Sequence, residues 1–315
     1  MGVTPLTDRA LLFVTGKGGV GKTTIAAGLA RLLANQGKKV LACEIDAKGD
    51  LAAAFEVSDV GFQPVQAAGV WLMNMDTEAS LREYLRINLK IPIVGRISPV
   101  AKAFDFVATA APGVKEILTI GKLCYEVREQ HYDTIVVDSS ASGHIVGLLA
   151  APQAIQSLVK VGLIRSQTDW MSEILSDPAQ SGLVVVTTPE EMPVSETLDL
   201  AKRVADETTV DLASVIVNRV LPERFTPTDE ELFLQLSSEK NIAVMNKIVD
   251  GDIQEVLGAA QLATTLRRNG TQHLETLRHG LSSSTPILLV PYLFSRTDGL
   301  RTTSQVAEHL AEELE

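Results

Sequence analysis

Residues 14–24 read VTGKGGVGKTT, between an apolar run, Leu11-Leu12-Phe13-Val14, and a run with helical character, Ile25 to Leu33. Gly16, Gly21, Lys22 and Thr23 fit G-x-x-x-x-G-K-[ST] in the order strand, loop, helix. Glycines at 16, 18, 19 and 21 let the backbone bend so that successive N–H groups point inward. The main chain of Gly16, Gly18, Gly19, Val20, Gly21, Lys22, Thr23 and Thr24 is thereby expected to cradle a polyphosphate, with the positive end of the following helix turned to the same anion. Lys22 should reach the β and γ phosphates, and the Thr23 hydroxyl should hold Mg²⁺. A glycine-rich turn without a ligand is the competing account.

The chain has 315 residues, 45% of them apolar and 21% charged, enough to bury a large core. A net charge of -11 argues against partners that must have many phosphates neutralised, so neither nucleic acid nor an anionic membrane surface is expected. Cys43 and Cys124 are far apart in sequence and form no CxxC pair; they read as reduced packing residues of a cytoplasmic chain. No signal peptide and no integral membrane segment of ~20 apolar residues is expected.

Short β-branched runs alternate with helical periodicity. Strands are expected near Leu11–Thr15, Val40–Ile45, Val70–Asn74, Thr134–Asp138, Leu183–Thr187, Val215–Asn218 and Ile287–Val290. The alternation implies an α/β fold, a doubly wound and mostly parallel sheet of the P-loop type, with helical insertions. Residues 1–315 read as a single domain, the insertions falling at about 78–130 and 152–176. A third helical stretch, 251–282, is expected to break at Asn269-Gly270. Leu85, Ile87, Leu89, Ile91, Val100, Phe104, Phe106 and Val107 either line a groove or pack the insertion.

Further polar residues end the buried strands. Asp138, closing TIVVD, can hold a Mg²⁺-bound water, and Gly143 in the following SSASGH can bring an N–H close to a γ phosphate. Asp46, closing KVLACEID, offers a carboxylate to orient the attacking water or accept its proton; the alternative is a helix cap, for which Asp50 is better placed. Asn218, in VIVNRVLPE, either reads an adenine edge with its amide or merely closes the strand. Pro291 offers a flat apolar wall for the base, or only a turn.

Lys17 stands on the outer lip of the loop, where Lys22 already serves the inner face. It is either a solvated charge or a cation that crosses to the phosphates of a second subunit packed face to face.

GKGGVGKTT resembles the deviant Walker A motif of the P-loop ATPases related to signal-recognition GTPases, the nitrogenase iron protein and the Min/Par ATPases. Within that class the chain is most similar to the arsenical pump-driving ATPase family, which includes the ATPase that targets tail-anchored membrane proteins. The similarity rests on DSSASGH at 138–144, TTPEEMPVSETLDL at 187–200, VNR at 217–219 and VPYL at 290–293. It implies ATP and Mg²⁺ as ligands, ADP as product, Lys17 acting across a dimer, and Asn218, Arg219 and Pro291 around the base. Lys17, Lys22 and Asp46 are the implied catalytic residues.

Two departures from the family stand out. The expected Asp-Pro-Ala-His switch I reads Asp46-Ala47-Lys48-Gly49-Asp50, and Ala141 replaces the switch II proline, which points to slow or partner-dependent hydrolysis. The cysteines needed for arsenite activation or a zinc clamp are missing. DFVATAAPGVKEIL at 105–118 resembles a bacterial anion-transporting ATPase-like subgroup and leaves a homodimer or a heterodimer with a related ATPase open. The expected function is a dimeric ATPase coupled to a protein client or membrane-associated partner. The alternatives are a weakly active subunit of a heterodimer and a Min/Par-type positioning ATPase.

Overall fold

The computed structural model describes residues 4–46, 48–89, 113–158, 161–248, 252–294 and 299–314. The groove candidates Ile91, Val100, Phe104, Phe106 and Val107 lie outside them, as does Ala47 of the loop after Asp46.

The strands are β1 (Leu11–Gly16), β2 (Val40–Glu44), β3 (Val65–Ala67), β4 (Val70–Asn74), β5 (Thr134–Asp138), β6 (Ser181–Thr187), β7 (Leu212–Val220) and β8 (Ile287–Pro291). They form one sheet in the order β3-β4-β2-β5-β1-β6-β7-β8. Among the described residues only β3 pairs antiparallel, with β4. Every residue of β1, β2, β5 and β6 is buried, which is why these strands read as continuous apolar runs rather than as alternating ones. From β1 the chain first builds the sheet on one side, through β2 to β5, and then crosses from β5 over β1 to β6 on the other, so the loops at the carboxyl ends of β1, β5 and β2 part there and open a crevice.

The edge strand β3 has no counterpart in the sequence reading. Its turn runs through Ala68 and Gly69, both at positive φ (47° and 81°), a conformation normally announced by Asn-Gly, and its three residues are too few to show a period.

Helices cover both faces. On one lie α1 (Lys22–Asn35), the short α2 (Asp50–Ala54) and the C-terminal α11 (Leu300–Leu314); Leu29, Leu33, Val306 and Leu310 close over Leu12, Val136 and Val184. On the other are α4 (Val114–Arg128), α5 (Ser142–Leu158), α6 (Leu163–Ser176) and α7 (Glu191–Glu207). α3 (Thr77–Leu89) packs on α4, and between β7 and β8 come α8 (Pro227–Leu236), α9 (Glu239–Met245) and α10 (Ile253–Gly280). Cys43 and Cys124 are fully buried free thiols whose pKa burial pushes up.

The break expected at Asn269-Gly270 does not occur: α10 is continuous from Ile253 to Gly280. Gly270 is buried, and a Cβ there would sit 3.5 Å from Pro189 Cβ. The helix packs here on the segment leading into α7 and stays continuous despite the ~1 kcal/mol that glycine costs a helix interior. Asp50, the expected cap, is instead the first residue of α2, and the capping position is Gly49, with φ at 84°.

Candidate nucleotide site

The loop after β1 is held open by backbone that only glycine tolerates. Gly16 has φ 150° and a Cβ on it would lie 2.1 Å from the Val186 carbonyl oxygen; Gly21, at φ 94°, would place one 2.4 Å from Asn218 Nδ2. Asn218 is consequently packed under the loop. Its amide donates to the Val20 carbonyl at 2.9 Å, and its Oδ1 accepts the Arg219 N–H at 2.9 Å. The register of β7 on β8 shifts between Val217 and Val220, and Arg219, at φ 60°, projects from this bulge toward the crevice.

A cavity of about 920 Å³ opens at the carboxyl ends of β1, β2 and β5. Gly18, Gly19, Gly21, Lys22, Thr23 and Thr24 border it on one side. Asp46, Asp138 and Arg219 also line it. Gly16, Lys17, Val20, Gly143, Asn218 and Pro291 lie off its wall: Gly143 is in the first turn of α5, and Pro291 borders a separate cavity of about 280 Å³ with Val220 and Leu221. The structure adds Glu44, Lys48, Lys115 and His144 to the wall, none of which the sequence reading named for the site.

At the floor, Thr23 Oγ1 donates to Asp138 Oδ2 at 2.6 Å. Asp138 is only 6% exposed, and its pKa is pushed up to about 6. Burial is the main cause; the Thr23 hydrogen bond opposes it, and the neighbouring Glu44 carboxylate reinforces it. Burial also lowers the Lys22 pKa, with Lys48 adding to the effect and Asp138 and Asp46 opposing it. Lys22 Nζ donates to the Lys17 carbonyl at 3.3 Å, folded back over its own loop. The loop after β5 is tied to β1 by Ser139 N–H to Val14 O at 2.9 Å and by Thr15 Oγ1 to Ser140 O at 2.9 Å. A hydroxyl and a carboxylate converging on one point are hard oxygen donors of the kind Mg²⁺ takes, one or two from protein and the rest from phosphate and water.

Lys17 is not a free solvated charge. Its ammonium pairs with Glu196 of α7 at 2.7 Å, with 27% and 38% of the two side chains exposed.

A model of the family described as anion-transporting ATPase matches residues 9–168 and 160–283. The chain belongs to this family. It is 35% identical over 231 residues to ATPase BagA of Mycobacterium tuberculosis (strain ATCC 25618 / H37Rv), covering 70% of this chain and 67% of that one. It is 28% identical over 244 residues to a Halobacterium salinarum protein named "Putative arsenical pump-driving ATPase", covering 70% of this chain but 37% of the other. Over 247 residues it is 28% identical to the ATPase ASNA1 homolog of Cryptosporidium parvum, 67% of this chain and 65% of that one. The family match takes in the loop, Asp46, Asp138 and Asn218 and stops before β8, so Pro291 falls outside it. Among the described residues, no helix is long and apolar enough to cross a membrane.

Glu44 carried a sequence signal of the kind that singled out Asp138: a carboxylate closing a buried apolar strand. Glu196 carried none, because its relation to Lys17 spans most of the chain.

Proposed function

We propose that this ATPase family member is a cytoplasmic, Mg²⁺-dependent ATPase whose dimer closes on ATP and reopens after hydrolysis. The observation that carries the reading is the convergence of Lys22, Thr23, Asp138 and Asp46 on one cavity at the sheet's carboxyl edge. The loop N–H groups and Lys22 bind the β and γ phosphates, while Thr23 and Asp138 would hold Mg²⁺ directly and through water. The metal supplies neutralisation of phosphate charge.

Asp46 is exposed at the mouth of the cavity and orients the attacking water. The water oxygen bonds to the γ phosphorus, the bond from that phosphorus to the bridging oxygen breaks, ADP leaves with the electron pair, and the water proton passes to Asp46. Lys17, released from Glu196, reaches the phosphates of the facing subunit. Coupling to a protein partner is supported by the mutually packed α8, α9 and α10, which leave Leu234, Val244, Val256 and Leu262 exposed.

The test is ATP binding and turnover by wild type and Asp46→Asn. Asp46→Asn should bind ATP normally and turn it over about 10²-fold more slowly or worse; unchanged turnover removes Asp46 from the mechanism. A second reading, a half-site that needs a related partner chain, is favoured by the Lys17–Glu196 pair, which holds the lysine in its own chain. Synergy on mixing with such a partner, rather than additivity, would support it.

A further inference from the structure

Glu44 closes β2 with its Cα in register with Asp138 on β5, and it is 3% exposed. A carboxylate so placed must have its oxygens satisfied. Among the described residues no cation forms an ion pair with it. Instead Oε1 accepts the Lys48 N–H at 3.0 Å and Oε2 accepts the Gly49 N–H at 3.2 Å. Its main chain is held separately by the sheet, with the Glu44 carbonyl accepting from Met75 N–H at 2.8 Å.

The side chain therefore reaches over its own following residues and clasps the far end of the loop that carries Asp46. One end of that loop is the strand itself, and Ile45 N–H donates to the Asp138 carbonyl at 3.1 Å. The other end is Gly49, the capping residue of α2, whose N–H the carboxylate takes. Asp46 sits between these anchors and is exposed at the cavity. β2 is paired on both sides, so the anchor stands on a strand held by two neighbours.

We propose that Glu44 is the positioning residue of this loop: its two oxygens hold the Lys48 and Gly49 N–H groups and so fix where the Asp46 carboxylate meets the γ-phosphate side of the cavity. The inference rests on the ATPase reading above and adds a residue to it. Glu44 borders the cavity, but both of its carboxylate oxygens are engaged by the loop N–H groups, and it acts through the loop. Both oxygens must accept, so Glu44→Gln is a sharp probe. It keeps the length but turns an amide donor toward an N–H, leaving one of the two groups unpartnered. Glu44→Asp keeps the charge but is one methylene short of spanning both N–H groups.

The experiment measures amide hydrogen exchange across residues 40–54 and steady-state Mg-ATP kinetics for wild type, Glu44→Gln and Glu44→Asp. Expected in Glu44→Gln are exchange about tenfold faster at 48 and 49, unchanged exchange in β2, and kcat lower by about tenfold with KM for ATP within about threefold. Glu44→Asp should shift in the same direction by less, and it serves if Glu44→Gln fails to fold. Unchanged exchange at 48 and 49, or lost protection with unaltered kcat, overturns the proposal. Absence of turnover in the wild type, both alone and mixed with a related partner chain, instead sinks the ATPase reading, and the exchange data then decide by themselves whether Glu44 holds the loop.

Discussion

The Lys17 ammonium and the Glu196 carboxylate, 2.7 Å apart, tie the outer lip of the phosphate loop to the second turn of α7. Under the proposed trans role, Lys17 is kept in its own chain until something displaces the carboxylate. A pair this exposed is worth at most about 1 kcal/mol, so a polyphosphate can take the lysine from it. Glu196→Gln should release Lys17 and lower the protein concentration for half-maximal turnover by about two- to fivefold. Analytical ultracentrifugation with ATP and turnover against concentration both read this; a rise in that concentration would mean that Glu196 helps the dimer.

The buried Asp138 carboxyl gives a pH signature in nucleotide-free protein. Its folded pKa, about 6, stands above the ordinary 3.8, so the folded chain holds this proton where the unfolded chain has lost it. Its contribution to stability is full below pH ~4, declines as pH rises to ~6, and is absent above that. The gap between 3.8 and about 6 amounts to roughly 3 kcal/mol. Urea unfolding of wild type should show this fall between about pH 4 and 6 beyond any fall in Asp138→Asn. Parallel curves for the two proteins would place the carboxyl in a wetter site than the geometry indicates.

Lys122 pins α3 to α4. It is 9% exposed and lies 2.6 Å from both Glu83 and Glu126, and Glu126 in turn lies 2.7 Å from His131. Burial works to lower the lysine pKa, but its bonds to the two glutamates carry it upward overall. Lys122→Met should destabilise the chain by roughly 3 kcal/mol, because it strands two partly buried carboxylates. Denaturant midpoints at pH 7 measure it, and a loss under about 1 kcal/mol would show that the glutamates simply turn to water.

Asn218 offers a choice between two roles. Its amide supports the Val20 carbonyl beneath the loop, so Asn218→Ala should weaken ATP and GTP together, by about 1–2 kcal/mol, through a loosened loop. A selective loss of ATP would instead restore a part for this side chain in reading the adenine edge.

The loop at 14–24 and the buried strands β2, which leads into Asp46, and β5, which ends at Asp138, were legible because their signals are local: a spaced glycine pattern and unbroken β-branched runs. What escaped depends on contacts between distant residues. α10 runs unbroken through Gly270, which packs beside Pro189, and the Asn218 amide is claimed by Val20. Lys17 finds Glu196 across most of the chain. β3 escaped for a different reason, being too short to carry a period. Glu44 was locally visible as an acid ending a buried strand, but its work on the two N–H groups appears only once the chain turns back at Gly49.

The central claim, that the second lysine acts across a catalytic dimer, is tested most directly by Mg²⁺-dependent ATP hydrolysis per chain over a wide range of protein concentration, for wild type and Lys17→Ala. The account predicts that turnover per chain rises with concentration to a plateau and that Lys17→Ala lowers the plateau by about 10²-fold or more while ATP still binds. Turnover per chain that is independent of concentration and untouched by Lys17→Ala would contradict it.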